Sequence, residues 1–212
     1  MTGDIGPTEP RKRPRQARSR ATVAALLEAA AQVLIAHGYK GATTARVAER
    51  AGVSVGSLYQ YFPNKNALIA ALVEQHAGRI VAAMEEALSP DTAATLEEGL
   101  DALIRTALDT QRIDPELHRI MIEQIPRIGR MAEVMDTSRR IARLIEEFLR
   151  RHRERLPRNG DPQITALVME TVLEAITHRA LADQLLSDEQ TARELRFLLR
   201  GYLAPAEAAQ SQ

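Results

Sequence analysis

The chain is predicted to be all-α: a short three-helix N-terminal unit of helix-turn-helix form, followed by a larger helical second part, about nine helices altogether. Three observations predict this. Ala, Leu, Glu and Arg recur at spacings of three and four along most of the 212 residues. Runs of β-branched and aromatic residues bounded by turn signals are missing, and only seven aromatic side chains occur in the whole chain. The apolar stripes also open on Ser, Thr, Asn or Asp and stop at Gly or Pro, which is how helices begin and end.

The elements follow in order. Residues 1–16 hold three Pro, two Gly and the run Arg11-Lys12-Arg13-Pro14-Arg15, which reads as a disordered basic arm. A first helix is expected from Arg18 to Ala36, with Val23, Leu26, Leu27, Ala30, Val33 and Leu34 on one face and Gly38 as its stop. Thr44 is expected to cap a short helix to Ala51, with Val47, Ala48 and Ala51 inward. Gly52-Val53 makes a tight turn, Ser54 caps a further short helix to Tyr61, and Pro63 breaks the chain. Asn64 opens a long helix to Leu88, and Thr95 with Glu98 forms a capping box for a helix to Asp109. Asp114-Pro115 and Asp161-Pro162 each place a cap before a Pro at the first helical position. Pro126 separates a helix over 115–125 from one over 130–155, and the helix from Pro162 runs to Gln184. Ser187 with Gln190 opens the last helix, to Tyr202, and a loose tail follows from Pro205. The expected domains are 17–77 and 78–204, between the arm 1–16 and the tail 205–212.

Composition excludes several functions. Without Cys there is no disulfide framework, thiolate nucleophile or Cys-based metal centre. The polar, basic N-terminus lacks the apolar stretch of a signal peptide, and no run of 18 apolar residues occurs, so no membrane partner is expected. The expectation is a soluble, cytoplasmic protein. Charge is divided unevenly: residues 1–66 carry ten Lys and Arg against four Asp and Glu, net +6, and the remainder carries 18 against 24, net −6. The basic third calls for an anionic partner; nucleic acid is the leading candidate, and charge alone does not choose it over a membrane surface.

Residues 43–62 concentrate the chemistry. Two short helices joined at Gly52-Val53 must bury Val47, Ala48, Ala51, Val53, Leu58 and Phe62 against longer neighbours, since neither is stable alone. Arg46, Val55, Gly56, Ser57, Gln60 and Tyr61 are then expected to face out, on a helix whose small residues let the backbone approach base edges in a major groove. The caps Thr44 and Ser54 suit phosphate oxygens, and Tyr59, Tyr61 and Lys65 could hold the flanking backbone. The run Ala51-Gly-Val-Ser-x-Gly-x-Leu-Tyr-x-Tyr-Phe-x-x-Lys65, preceded by His37-Gly38-Tyr39 and Thr43-Thr44, closely resembles the tetracycline-repressor (TetR) family of bacterial regulators over residues 17–77. The resemblance implies a homodimer with an N-terminal DNA-binding domain, a C-terminal domain that takes a small effector, and no enzymatic activity. It implies phosphate contacts at Thr44, Ser54, Tyr59, Tyr61 and Lys65, a groove-facing set of Arg46, Val55, Gly56, Ser57 and Gln60, and Thr43 beside them among the DNA-binding residues. Val55 departs from the polar or basic residue common at its position, which shifts base reading towards Arg46, Gln60 and the Gly56 backbone.

Other patterns carry competing readings. Gly52-x-Ser54-x-Gly56 matches a nucleophile elbow, but that chemistry needs a strand before the Ser. Glu170, Glu174 and His178 line one helix face and could serve a metal-protein or enzyme reading, or one polar wall of an effector pocket. His118, Met121, Gln124, Met131 and Met135, with Glu174 and His178, form the candidate effector set, for a ligand that is lipophilic; core filling is the alternative for the methionines. Arg150, Arg151, Arg153, Arg155 and Arg158 read as a solvated helix end, with a second anion surface as the alternative. The last two long helices carry apolar stripes. Leu167, Val168, Thr171, Val172 and Ala175 in one, and Leu195, Leu198, Leu199 and Tyr202 in the other, are the candidate dimer interface implied by the resemblance. The function expected is a homodimeric, ligand-released repressor on a pseudo-palindromic double-stranded DNA operator, without metal or cofactor. The alternatives are an effector-free architectural DNA binder and the helical-bundle metal protein.

Overall fold

The computed structural model describes residues 17–112, 114–124, 131–156, 161–183 and 186–204; the basic arm of 1–16, Arg158 and the tail from Pro205 lie outside them. The described residues form nine α-helices and one 3-10 turn, with no strand among them. The helices are α1 (Ala17–Gly41), α2 (Thr44–Arg50), α3 (Val55–Tyr61), α4 (Lys65–Ala87), α5 (Leu96–Arg112), α6 (Pro115–Gln124), α7 (Met131–Arg151), α8 (Pro162–Asp183) and α9 (Asp188–Leu203). The 3-10 turn, Arg153–Arg155, follows α7.

Caps set most of the boundaries. Asn64 Oδ1 accepts the Ala67 N–H at 2.8 Å, and Asp161 Oδ1 accepts the Gln163 N–H at 2.9 Å. Reciprocal capping boxes close at Thr95/Glu98 and Ser187/Gln190. The expected cap of α2 is off by one residue. Thr43, not Thr44, has the extended backbone (φ −101°, ψ 153°), and its hydroxyl accepts the Arg46 N–H. Two adjacent threonines offer the same hydroxyl, so the backbone decides which one caps. Gly38 takes φ 62° and ψ 177°, a conformation open to glycine, and interrupts α1 near the expected end; helical turns then resume to Gly41.

The chain divides into two compact units, with the boundary inside α4. The first comprises residues up to Gly78 together with Glu116–Glu133. Its core takes Leu26, Leu34, Val47, Ala48, Leu58, Phe62, Leu68 and Ile69 from α1 to α4, and Leu117, Ile120 and Met121 from α6. Each buried aliphatic side chain contributes about 1.5–3 kcal/mol, which holds two-turn helices that would not persist alone. Ala51 and Val53, expected in this core, are half-buried at its edge. By length and composition both α1 and α4 are long and apolar enough to cross a bilayer, but each turns most of its Leu, Val and Ile residues into the core.

The second unit comprises Arg79–Pro115 and the residues from Val134 onward. Leu100, Leu103 and Ile104 of α5, Ile145, Phe148 and Leu149 of α7, Met169 and Leu173 of α8, and Leu195 and Leu199 of α9 form its core. α5 packs on both α8 and α9. Three ion pairs run along the α5–α9 contact: Glu97–Arg200 at 2.6 Å, Asp101–Arg196 at 2.7 Å, and Arg112–Asp188. At the end of α7, Arg150 pairs with Glu146 one turn back and Arg151 donates to the Leu88 carbonyl, while Arg153 and Arg155 are exposed.

Candidate nucleic-acid interface

The α2–turn–α3 segment is built from its turn outward. Gly52 has φ +67°, the left-handed region where a side chain would be strained, and the turn it makes delivers Ser54 to the N-cap of α3. Ser54 Oγ accepts the Ser57 N–H at 3.0 Å. Leu58 and Phe62 anchor one face of α3 in the core, leaving Val55, Gly56, Tyr59 and Gln60 exposed on the other; Ser57 is half-buried. Gly56 is informative. A Cβ built there would meet nothing closer than Ser54 Oγ at 3.8 Å, so no neighbour within the chain requires a glycine. A helical Gly costs roughly 1 kcal/mol against Ala, and here the bare backbone faces only the outside.

The flanking residues are tied to one another. Thr44 Oγ1 and the Tyr59 hydroxyl lie 3.2 Å apart. Arg46, exposed, donates from Nη1 to the Gly41 carbonyl at 2.8 Å. Tyr61 differs from its expected outward position: its ring packs against the core, and its hydroxyl accepts from Ser19 Oγ at 3.2 Å. Lys65 is half-buried, donates to the Tyr39 carbonyl at 3.0 Å and lies 4.1 Å above the Tyr39 ring. Burial lowers the pKa of Lys65 from its ordinary value. Tyr39 in turn donates to Asn66 Oδ1 at 2.7 Å, and Arg50 Nε donates to Gln32 Oε1 at 2.5 Å. Ser19, Gln32 and Tyr39 were not singled out as site residues from sequence, because each acts across 18 or more positions; only the Tyr39 match to the family pattern pointed there.

The expected effector residues divide between the two units. His118 and Met121 are buried in the first unit, where His118 Nδ1 lies 3.0 Å from Nε2 of the equally buried His76. Glu174 and His178 are half-buried on α8 in the second, with His178 Nδ1 4.0 Å from Glu174 Oε1. Desolvation lowers the His178 pKa against the opposing pull of Glu174. The side chains of Gln124, Met131 and Met135 lie outside the described residues. A cleft of 740 Å³ opens elsewhere in the second unit, floored by Leu96, Leu100, Leu156 and Leu203 and rimmed by Arg155 and Arg200. None of the expected effector residues lines it. Of the alternative chemistries, the elbow has no strand before Ser54 among the described residues, and α2 stands there instead. Nor do three His, Asp or Glu among them converge to hold a metal.

The candidate dimer residues also divide. On α8, Leu167, Thr171 and Ala175 are exposed, beside an exposed Ile164, while Val168 and Val172 are half-buried. On α9, Leu195 and Leu199 are fully inside the unit's own core, which removes them from any outward face. Leu198 and Tyr202 point out together with Phe197, which lies off the apolar stripe and is the most exposed large apolar side chain among the described residues at 75%.

Comparison with known proteins identifies the family of the chain. Residues 26–72 match the family described as bacterial regulatory proteins, tetR family, and residues 95–203 match the tetracyclin repressor-like C-terminal domain. An uncharacterised HTH-type transcriptional regulator of Mycobacterium bovis is 27% identical over 183 residues, covering 84% of this chain and 92% of that one. The fatty acid degradation regulator FadR of Bacillus halodurans superposes with a TM-score of 0.71 at 22% identity, over 88% of this chain and 96% of that one. SmeT, the repressor of the Stenotrophomonas maltophilia multidrug efflux pump SmeDEF, gives 0.69 at 20% identity, over 84% and 88%. These relatives are regulators rather than enzymes, and the two matched regions together span both helical units: the chain belongs to the TetR family of DNA-binding, helix-turn-helix transcriptional regulators.

Proposed function

We propose that this regulator is a homodimeric repressor whose α3 enters one major groove in each half of a pseudo-palindromic operator, and that a small lipophilic effector bound by the C-terminal domain releases it. The observation that carries the reading is the outer face of α3. Val55, Gly56, Tyr59 and Gln60 are presented to solvent on a rigidly anchored helix, and Gly56 leaves its backbone bare with no internal cause. Close backbone approach with Gln60 beside it suits base-edge reading, where Gln pairs with adenine. Thr43, Thr44, Ser54, Tyr59, Tyr61 and Lys65 hold the phosphates on either side, and Arg46 swings from the Gly41 carbonyl to reach a base or a phosphate. Ile164, Leu167, Phe197, Leu198 and Tyr202 supply the apolar surface that a second copy covers, since exposed side chains of this size mark an interface. Effector and operator are linked by a coupling free energy, typically about 1–3 kcal/mol.

The test is recovery of random genomic fragments by the purified protein at about 0.15 M salt, sequenced beside a Gln60→Ala variant. A small set of enriched pseudo-palindromes, with the base preference changed at one position per half-site in the variant, is the expected result. Even recovery of all fragments by both proteins would overturn a sequence-specific role.

A further inference from the structure

The two tyrosines of α3 each meet a hydroxyl from another helix. Thr44 Oγ1, on α2, and the Tyr59 hydroxyl lie 3.2 Å apart in an exposed bond in which either group can donate. The second pair reaches further. Ser19, in the first turn of α1, donates its hydroxyl to the Tyr61 oxygen at 3.2 Å, across 42 positions of sequence, and both side chains are half-buried. A Ser inside a helix commonly bonds the carbonyl one turn back. Ser19, the third residue of α1, directs its proton across the fold instead.

The count of protons singles out this pair. Two hydroxyl groups joined by one hydrogen bond use one proton and keep the other. Because Ser19 is the donor, the proton kept belongs to Tyr61, and among the described residues its hydroxyl makes no second hydrogen bond. A phosphate oxygen only accepts, so a tyrosine with a proton to give is matched to it. A hydroxyl that already accepts one bond is also a stronger donor, since linked hydroxyls polarise one another. The group is held at both ends: the Tyr61 ring packs against the core of the first unit, and Leu26, Ala30 and Leu34 anchor α1 in the same core. Little freedom is left to lose when a phosphate arrives, unlike the long stem of a surface Lys or Arg.

We propose that Ser19 is a positioning residue for operator binding: by donating to Tyr61 it fixes the tyrosine hydroxyl and commits that hydroxyl's own proton to a DNA phosphate. The inference rests on the phosphate role given to Tyr61 above. It adds a residue of α1, outside the helix-turn-helix, to the groups that set the grip on the DNA backbone. Ser19 touches no phosphate in this arrangement and acts only through Tyr61. Neither hydroxyl is charged, so the relay changes affinity without changing the number of counterions released on binding.

A phosphate contact is blind to sequence, so a labelled DNA duplex of mixed sequence serves as the probe. Its binding by the full chain is measured from about 0.05 to about 0.2 M salt for the parent, Ser19→Ala, Ser19→Thr, Tyr61→Phe and the double variant Ser19→Ala/Tyr61→Phe. Ser19→Ala and Tyr61→Phe should each weaken binding roughly two- to tenfold, by the same factor at every salt concentration. Ser19→Thr keeps a hydroxyl in place and should bind as the parent does. The double variant should bind no more weakly than Tyr61→Phe alone, because Ser19 has no other route to the DNA. Parental affinity in Ser19→Ala, or losses that add in the double variant, would overturn the relay and leave the Tyr61 contact standing. So would a Ser19→Ala loss accompanied by a lower Tm and a flatter salt slope, which marks a loosened head. Parental affinity in Tyr61→Phe would overturn the Tyr61 contact itself, and the relay with it.

Discussion

Gly56 and Gly99 both sit inside helices, for opposite reasons. A Cβ at Gly99 on α5 would fall 2.0 Å from Phe148 Cζ and 2.3 Å from Cε2, inside a ring that is itself fully buried. Gly99→Ala should therefore lower stability by about 1–3 kcal/mol despite the better helix propensity of Ala, read as a fall in the denaturant midpoint. Gly56→Ala meets open space instead. It should raise Tm by a few degrees, as ~0.5–1 kcal/mol does in a domain of this size, while weakening operator binding at least tenfold. Unchanged affinity in that variant would remove the close approach on which the α3 reading depends. At this scale caps and turns were legible from local residue types: Ser54, Asn64, Thr95/Glu98 and Ser187/Gln190 all cap as their sequence suggests. Thr43 and Thr44 offer the same hydroxyl, so residue type alone does not say which one caps. The orientation of Tyr61 depends on Ser19, 42 positions away, which no local spacing encodes.

For the element as a whole, α9 shows where periodicity stops being informative. Leu195, Leu198, Leu199 and Tyr202 form one apolar stripe in the sequence, but α5 and α8 bury Leu195 and Leu199 and leave Leu198 and Tyr202 outside. A stripe wide enough for two faces cannot say which edge is the inner one until its neighbours are placed. Phe197 lies off the stripe, so helical spacing does not single it out. The two faces should respond differently to substitution. Leu195→Ala should cost about 2–5 kcal/mol of stability through the cavity it leaves. Phe197→Ser should unfold at nearly the parent denaturant midpoint at fixed high concentration, yet sediment as a monomer at dilutions where the parent is a dimer. A parent-like dimer in Phe197→Ser would place the subunit interface away from α9. Val172, half-buried against the core, is a poor choice for the same purpose, since a charge there would disturb packing as well.

Across the whole molecule, the fold class and the two-part plan followed from composition and punctuation, while the membership of each part did not. Residues 1–66 carry a net +6 and the rest −6, so the affinity for DNA should be dominated by the basic end. With ~8 phosphates neutralised per dimer, the logarithm of the binding constant should fall with the logarithm of salt at a slope of roughly −7. A slope near zero would mean that the basic third does not meet the backbone. The least legible feature was α6, which the sequence places in the second part but which shares a core with α1–α4, through Leu117, Ile120 and Met121 and through the His76–His118 hydrogen bond. Local residue types carry no mark of that allegiance, because it joins segments about forty positions apart. Its consequence reaches module exchange. A DNA-reading head grafted onto another regulator after Gly78 would leave its own α6 behind and inherit a stranger's, with a foreign side chain where His118 meets His76. Chimaeras that carry residues 115–124 along with the head should melt in one cooperative step, and those cut simply after Gly78 should lose their heads first.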